Sequence, residues 1–351
     1  MLRIKFLEIS ILILSIILTC SFFTKTHAQN SAIKTNEFIF KDVPFKACHA
    51  STIESTNEGL VASWFGGTKE GNEDVRIWVS RKINGEWTDP ESVANGIQHQ
   101  DKRYPTWNPV LFQYPNGPLM LFYKVGPHPS KWWGMLKTSN DAGKTWSTGY
   151  RLPEDILGPI KNKPILTQEG RLISPSSTEN DGWRVHFEMT SNHGKSWELI
   201  GPINDASQYN VIQPSILKHG GDTLQILARS KENYVISSWS YDSGYNWTEL
   251  KPTNLPNPNS GTDAVTLENG THLLVYNHSK GEEGKWGGPR TPLNVAVSKD
   301  GNSWQNVLTL ENEPGEYSYP AVIQSEDGLV HITYTWKRER IKHIVIDPSK
   351  L

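Results

Sequence analysis

The stretch SNDAGKTW, residues Ser139–Trp146, decides how this chain reads. Its pattern is Ser-x-Asp-x-Gly-x-Thr-Trp. Ser and Asp side chains bond the backbone of a tight turn, Gly takes a positive φ, and Trp offers a large packing surface. TSNHGKSW (Thr190–Trp197) and SYDSGYNW (Ser240–Trp247) are close variants. SKDGNSW (Ser298–Trp304) is one residue shorter, and SRKINGEW (Ser80–Trp87) keeps only the Ser and Trp spacing. The tryptophans recur at intervals of roughly 50–60 residues, which marks an internal repeat.

Ahead of each box lies an apolar strand, a turn bearing Asn, Asp or Gly, and a second apolar strand. PVLFQYPNGPLMLFYK, PILTQEGRLISPSS, PSILKHGGDTLQILAR and AVTLENGTHLLVYNH show it, and ASTIESTNEGLVASWF and PAVIQSEDGLVHITYTW extend the set to six. Such pairs read as antiparallel hairpins, and no helical periodicity competes with them. Six four-stranded antiparallel units predict an all-β, six-bladed β-propeller. The last unit has three strands before the chain stops. EFIFKDV (Glu37–Val43) is a strand without a unit and is expected to complete the last blade, closing the ring and removing its open edges.

The first residues read as a targeting segment. Arg3 and Lys5 precede an apolar run from about Ile9 to Leu18, then small and polar residues, so residues 1–28 are expected to be a secretory signal peptide and 29–351 a single domain. A secreted or periplasmic location follows, with a lipoprotein anchor at Cys20 as the weaker alternative. The apolar run is short for a membrane span. The remaining chain has one cysteine, Cys48, so no internal disulfide forms and the core must supply the stability. A net charge of −2 provides no basic footprint for nucleic acid. No metal or cofactor motif is present, and Asn246, Asn269 and Asn277 sit in glycosylation sequons.

Propeller geometry directs attention to one face, where each innermost strand starts and the next strand ends. The residues just before the inner strands are His49, Asn108, Lys163, Gln213, Asp263 and Tyr319. All six can hydrogen-bond, whereas a structural ring would more naturally carry small or apolar residues. The ends of the second strands add Trp64, Phe65, Lys124, Ser176, Arg229, Asn277, His278 and Trp336, and the loops add Trp107, Trp132, Trp133 and Trp286. Aromatic faces with amides and charges suit a sugar.

The boxes resemble the Asp-boxes of the sialidase (neuraminidase) superfamily, over nearly all of residues 37–347. The resemblance implies that the boxes are structural turns away from the active site. It also implies three arginines for a substrate carboxylate, a tyrosine nucleophile paired with a glutamate, and an acid/base carboxyl. Arg229 in ILARS matches the second arginine, and Arg290 in RTPLNVAVS the third. Tyr317 in YSYP takes the nucleophile's place, and Glu70 and Asp74 in KEGNEDVRIW are the acid/base candidates. The chain departs from the pattern twice. His49 stands where the first arginine belongs, and Gln213 where the tyrosine-activating glutamate belongs. A phenol with pKa about 10 needs a nearby base to attack at neutral pH. Asp263, Glu316 and His49 are the substitutes within reach of the ring. A basic pocket of Arg229, Arg290, Lys124 and Lys163 suits a carboxylated or sulfated saccharide. The expected function is an exported, exo-acting glycoside hydrolase on an acidic oligosaccharide or polysaccharide, with no cofactor. The alternatives are a non-catalytic glycan-binding propeller and a lyase acting on a uronate.

Overall fold

A computed structural model describes residues 31–282 and 285–351. The signal peptide expected over residues 1–28 lies outside the described residues. Six antiparallel sheets follow one another around an axis. Blade 1 comprises Ala47–Thr56, Gly59–Gly67 and Arg76–Ile83, with Glu86–Trp87 and Glu91–Ala94 sharing the outer position. Blade 2 comprises Thr106–Gln113, Leu119–Val125, Trp133–Ser139 and Tyr150–Arg151. Blade 3 comprises Ile165–Leu166, Leu172–Thr178, Arg184–Thr190 and Glu198–Ile200. Blade 4 comprises Val211–Lys218, Leu224–Ser230, Tyr234–Ser240 and Lys251–Pro256. Blade 5 comprises Asp263–Thr266, His272–Asn277, Leu293–Ser298 and Gln305–Glu311. Blade 6 comprises Tyr317–Gln324, Val330–Trp336 and Arg340–Ile346.

The N-terminal strand supplies the fourth strand of blade 6, as the count of strands required. It runs Ile33–Phe38, four residues upstream of the expected start, with Glu37 opposite His343. Pro44, which lacks an N–H, lies beyond it on the way into blade 1.

The boxes are turns held by their own side chains. In blade 2 the Asp141 carboxylate accepts from Ser139 Oγ (2.7 Å), Thr145 N (2.9 Å) and Thr145 Oγ1 (2.6 Å), while Ser139 Oγ accepts from Gly143 N (2.8 Å). Asp242, Asp300 and Asn192 repeat the arrangement. Each box tryptophan packs on the preceding blade. Trp247 stacks on Phe187 at 4.3 Å and 12°, Trp197 meets Phe122, and Trp146 joins the cluster around Val61 and Val79. Trp87, the box tryptophan of blade 1, meets His343 of blade 6 and so completes the circle. Apolar contact between neighbouring blades, repeated around the axis, forms the core.

Candidate functional site

The inner strands do not enter the sheets straight. In blades 1, 2, 4 and 6 the register with the second strand slips by an extra residue close to the strand start. At each slip one non-glycine residue has positive φ: Ala50 (55°), Asn108 (39°), Gln213 (56°) and Tyr319 (52°). A left-handed residue in a bulge turns its side chain out of the strand's alternation. Bulges also leave carbonyls without ladder partners, and the loop before blade 3 supplies them. Asn162 Nδ2 donates to Gln213 O at 2.8 Å. Lys161 Nζ donates to Pro320 O, Thr262 O and Asn162 Oδ1 at 2.6–2.7 Å. That loop is anchored from behind. The Glu188 carboxylate accepts from Leu157 N (2.8 Å) and Gly158 N (2.6 Å), and Lys124 Nζ donates to Pro159 O (2.9 Å).

Tyr319 sits at the centre. Arg229 Nη1 donates to its hydroxyl at 2.9 Å and Gln213 Nε2 at 3.4 Å. The Arg229 guanidinium lies 5.8 Å from the phenol ring, that of Arg290 5.9 Å, and the Lys161 ammonium 5.8 Å. The His49 ring rests against Tyr319 at 4.1 Å. Its Nδ1 faces Thr335 Oγ1 at 2.9 Å. Burial, then the charges of Arg338, Arg290, Arg229 and Lys161, hold this imidazole well below its ordinary pKa, so it is neutral. Burial likewise lowers Lys161 to about 7.

Arg229 is fixed by Asn259, whose Oδ1 and backbone oxygen accept from Nε and Nη2. Arg290 gives Nη1 to Glu316 at 3.1 Å, Arg338 gives Nε to the same oxygen at 2.8 Å, and Arg338 also pairs with Glu70. Partial burial pushes the Glu316 carboxyl up, but the two arginines hold it below its ordinary range. A cavity of about 330 Å³, lined by His49, Phe65, Lys69, Glu70, Glu316 and Arg338, adjoins this chain. Phe65, Trp107 and Trp132 continue as an aromatic wall from His49. Trp183 stands on the other side, beneath Arg229 and Lys231.

Several sequence expectations need correction. Tyr317 does not reach the axis: it is 1% exposed in the core between blades 5 and 6, beside Leu293, Leu308 and Tyr334. Two residues apart on a regular strand, it and Tyr319 would share a face; the bulge at Tyr319 separates them. The pre-strand ring is also out of register. The counterpart of Asn108, Gln213 and Tyr319 in blade 1 is Ala50, and His49 precedes it. Before blades 3 and 5 the positive-φ residues are Lys161 and Asn259, not Lys163 and Asp263, because those inner strands begin without a bulge.

Lys163 donates to Thr52 Oγ1 at 3.0 Å and, with Asp263 and Glu54, lines a cavity of about 350 Å³ toward the far ends of the inner strands. The Asp263 carboxylate is committed to Ser215 Oγ, Ala264 N and Val322 N, tying blades 4, 5 and 6 together. Lys124 is wholly buried behind the blade 3 loop. Asn277 is wholly buried and braces backbone, donating to Tyr317 O and Pro292 O. His278 pairs with the Tyr276 hydroxyl, and Trp336 packs on Phe38 and Tyr317. Of the acid/base candidates, the Asp74 carboxylate closes its own loop by accepting from Thr68 N and Oγ1 at 2.8 and 2.7 Å. Glu70 reaches Arg338 at the rim of the pocket.

Lys161 and Asn259 lie in the polar, Pro-rich segments GPIKNKP and NLPNPNSGTDAV, which the sequence marks as approaches to this face, whereas Arg338 and Glu179 carry no such signal. Glu179 follows the second strand of blade 3, three residues beyond the Ser176 that was considered. Burial raises its carboxyl above the ordinary range, against the charges of Arg229, His128 and Lys231. Among the described residues no cluster of His, Cys, Asp and Glu is arranged to hold a metal, and no helix is long and apolar enough to cross a membrane.

The fold has counterparts among solved structures. The Hadza microbial sialidase Hz136 superposes with a TM-score of 0.73 at 16% identity, over 87% of this chain and 66% of that one. A protein of unknown function from Dyadobacter fermentans gives 0.72 at 14%, over 90% and 98%. The intramolecular trans-sialidase from Ruminococcus gnavus gives 0.70 at 12%, over 92% and 99%. At these identities the likeness concerns the fold. No curated protein matches the sequence. The family model of the BNR repeat-like domain matches residues 58–332, most of the six-bladed ring. The chain therefore belongs to the BNR repeat-like domain family.

Proposed function

We propose that this protein is an exported glycoside hydrolase of the sialidase type, acting from the end of an acidic saccharide chain bound at Tyr319. One observation carries the reading: Tyr319 stands on the axis with Arg229, Arg290 and His49 around its ring. Paired guanidinium groups favour a carboxylate or sulfate on the sugar. With the anion there, the Tyr319 oxygen faces the anomeric carbon. It forms a bond to that carbon as the bond to the leaving oxygen breaks, and water later releases the sugar. Either Glu70, which pairs with Arg338 at the rim of the pocket, or Asp74, which is held by Thr68, gives a proton to the leaving oxygen. His49, whose ring lies 4.1 Å from that of Tyr319, is placed to accept the tyrosine proton, because Asp263 is committed to three blades.

A panel of fluorogenic sialosides, glucuronides and sulfated glycosides tests this with Tyr319→Phe and Tyr317→Phe. Tyr319→Phe is expected to lose at least a hundredfold in kcat and Tyr317→Phe to stay within a few-fold. Full activity in Tyr319→Phe sinks the assignment. A second reading, glycan binding without turnover, is favoured by one feature: the partners of the Tyr319 hydroxyl are N–H donors, with no carboxylate among them. Saturable binding of an acidic oligosaccharide with no product released would support it.

A further inference from the structure

We propose that the outer groove between blades 4 and 5 is a second carbohydrate site, which holds a polysaccharide chain on Trp239 and Tyr241. The two rings project from the third strand of blade 4 with planes 12° apart and centroids 6.5 Å apart. Tyr241 is 67% exposed. Comparison among the repeats shows that the fold does not require them. Where blade 4 has Trp239, blades 1, 2, 3 and 5 have Val79, Thr138, Met189 and Val297. Where it has Tyr241, the second residue of the box, they have Arg81, Asn140, Ser191 and Lys299. Blade 4 alone among these five presents aromatic surface at a position the others leave polar, and an exposed aromatic pair of this kind marks a binding surface.

The platform is rigid. Trp239 rests on His219 at 4.4 Å, and His219 on His272 of blade 5 at 4.0 Å. Behind them Gln225 Nε2 donates to Ser237 Oγ and to Gly301 O of the blade 5 box, both at 2.8 Å. A pre-formed surface loses little freedom on binding. The groove encloses about 390 Å³, and Glu249, Lys251, Asn254 and Asn302 share its lining. Flat rings flanked by one acid, one base and two amides match a ligand of CH faces and hydroxyls. That balance of charge selects against a strongly ionic partner. Third strands run away from the axial site and end at the boxes, so this groove lies on the opposite face, and its occupancy does not depend on turnover at Tyr319.

Native electrophoresis in gels containing xylan, laminarin or another neutral polysaccharide tests the proposal. Wild type should be retarded by at least one polysaccharide, and added salt should not abolish it. Trp239→Ala with Tyr241→Ala should weaken retardation about tenfold or more. Trp239 also packs on His219, so Tyr241→Ser, the blade 3 residue placed on an exposed site, provides the milder variant. It should weaken retardation while leaving the thermal midpoint and any hydrolysis of small aryl glycosides unchanged. Retardation that survives in both variants, vanishes with salt, or is absent from every gel in wild type overturns the proposal.

Discussion

Glu37→Gln tests how the ring is closed. Glu37 lies on the N-terminal strand, and its Oε1 accepts from three donors on two blades. Trp87 Nε1 (3.0 Å) and Lys82 Nζ come from blade 1, and His343 Nδ1 (2.8 Å) from blade 6. Burial raises this carboxyl, but the His343 and Lys82 contacts outweigh it and bring the pKa from 4.5 to about 2. Taken at face value, that depression is worth roughly 3 kcal/mol to folding. The side chain is 32% exposed, and screening by water reduces the figure to about 1–2 kcal/mol. The sign is fixed: a carboxyl depressed in the fold stabilises above its unfolded pKa and loses that stabilisation as pH falls from about 4.5 toward 2. Glutamine keeps the shape and an acceptor oxygen but not the charge. At pH 7 the variant should melt roughly 1–3 °C lower and unfold earlier in urea, followed by tryptophan fluorescence. At about pH 3 more than half of the difference should be gone. A difference that stays constant between the two pH values, or is absent at pH 7, would refute the idea that the Glu37 charge latches the ring.

Further consequences can be checked on the same footing. His331 is held at about 4 by burial first and then by His343, with Ser325 and Asp327 on its other side and Lys82 and Glu37 beyond. A histidine kept neutral in the fold costs stability as pH falls from 6.5 toward 4, so His331→Gln should flatten the loss in that window by up to roughly 3 kcal/mol, read from urea titrations. Lys161→Met should destabilise by about 3 kcal/mol in denaturant unfolding, since three buried acceptors lose their donor. Trp247→Ala should cost about 3 kcal/mol by removing the stack on Phe187. Glu188→Ala should cost about 2–4 kcal/mol and speed hydrogen exchange at Leu157 and Gly158, whose N–H groups it holds.

What the sequence determined by itself is whatever repeats or is local. A box turn bonds residues within four positions of one another, so SNDAGKTW specifies its geometry wherever it occurs. Six hairpin units and one leftover strand imply a closed ring, because an incomplete sixth blade would leave sheet edges bare. Arg229 and Arg290 were legible too, since each ends or precedes a strand in the repeat. Tertiary structure decided which tyrosine meets them. Tyr317 and Tyr319 have the same residue type, and the same strand parity before the bulge is counted. The bulge depends on Lys161 bonding Pro320 O across 159 positions of sequence. Its donor comes from a different blade, positioned in turn by Glu188 and Lys124. The commitment of Asp263 and Asp74 to backbone and hydroxyl donors is likewise a matter of what lies opposite in space. Short-range hydrogen bonds and hydrophobic spacing are written along the chain. The direction of a side chain at the axis is set where six blades meet, by groups that no local pattern brings together.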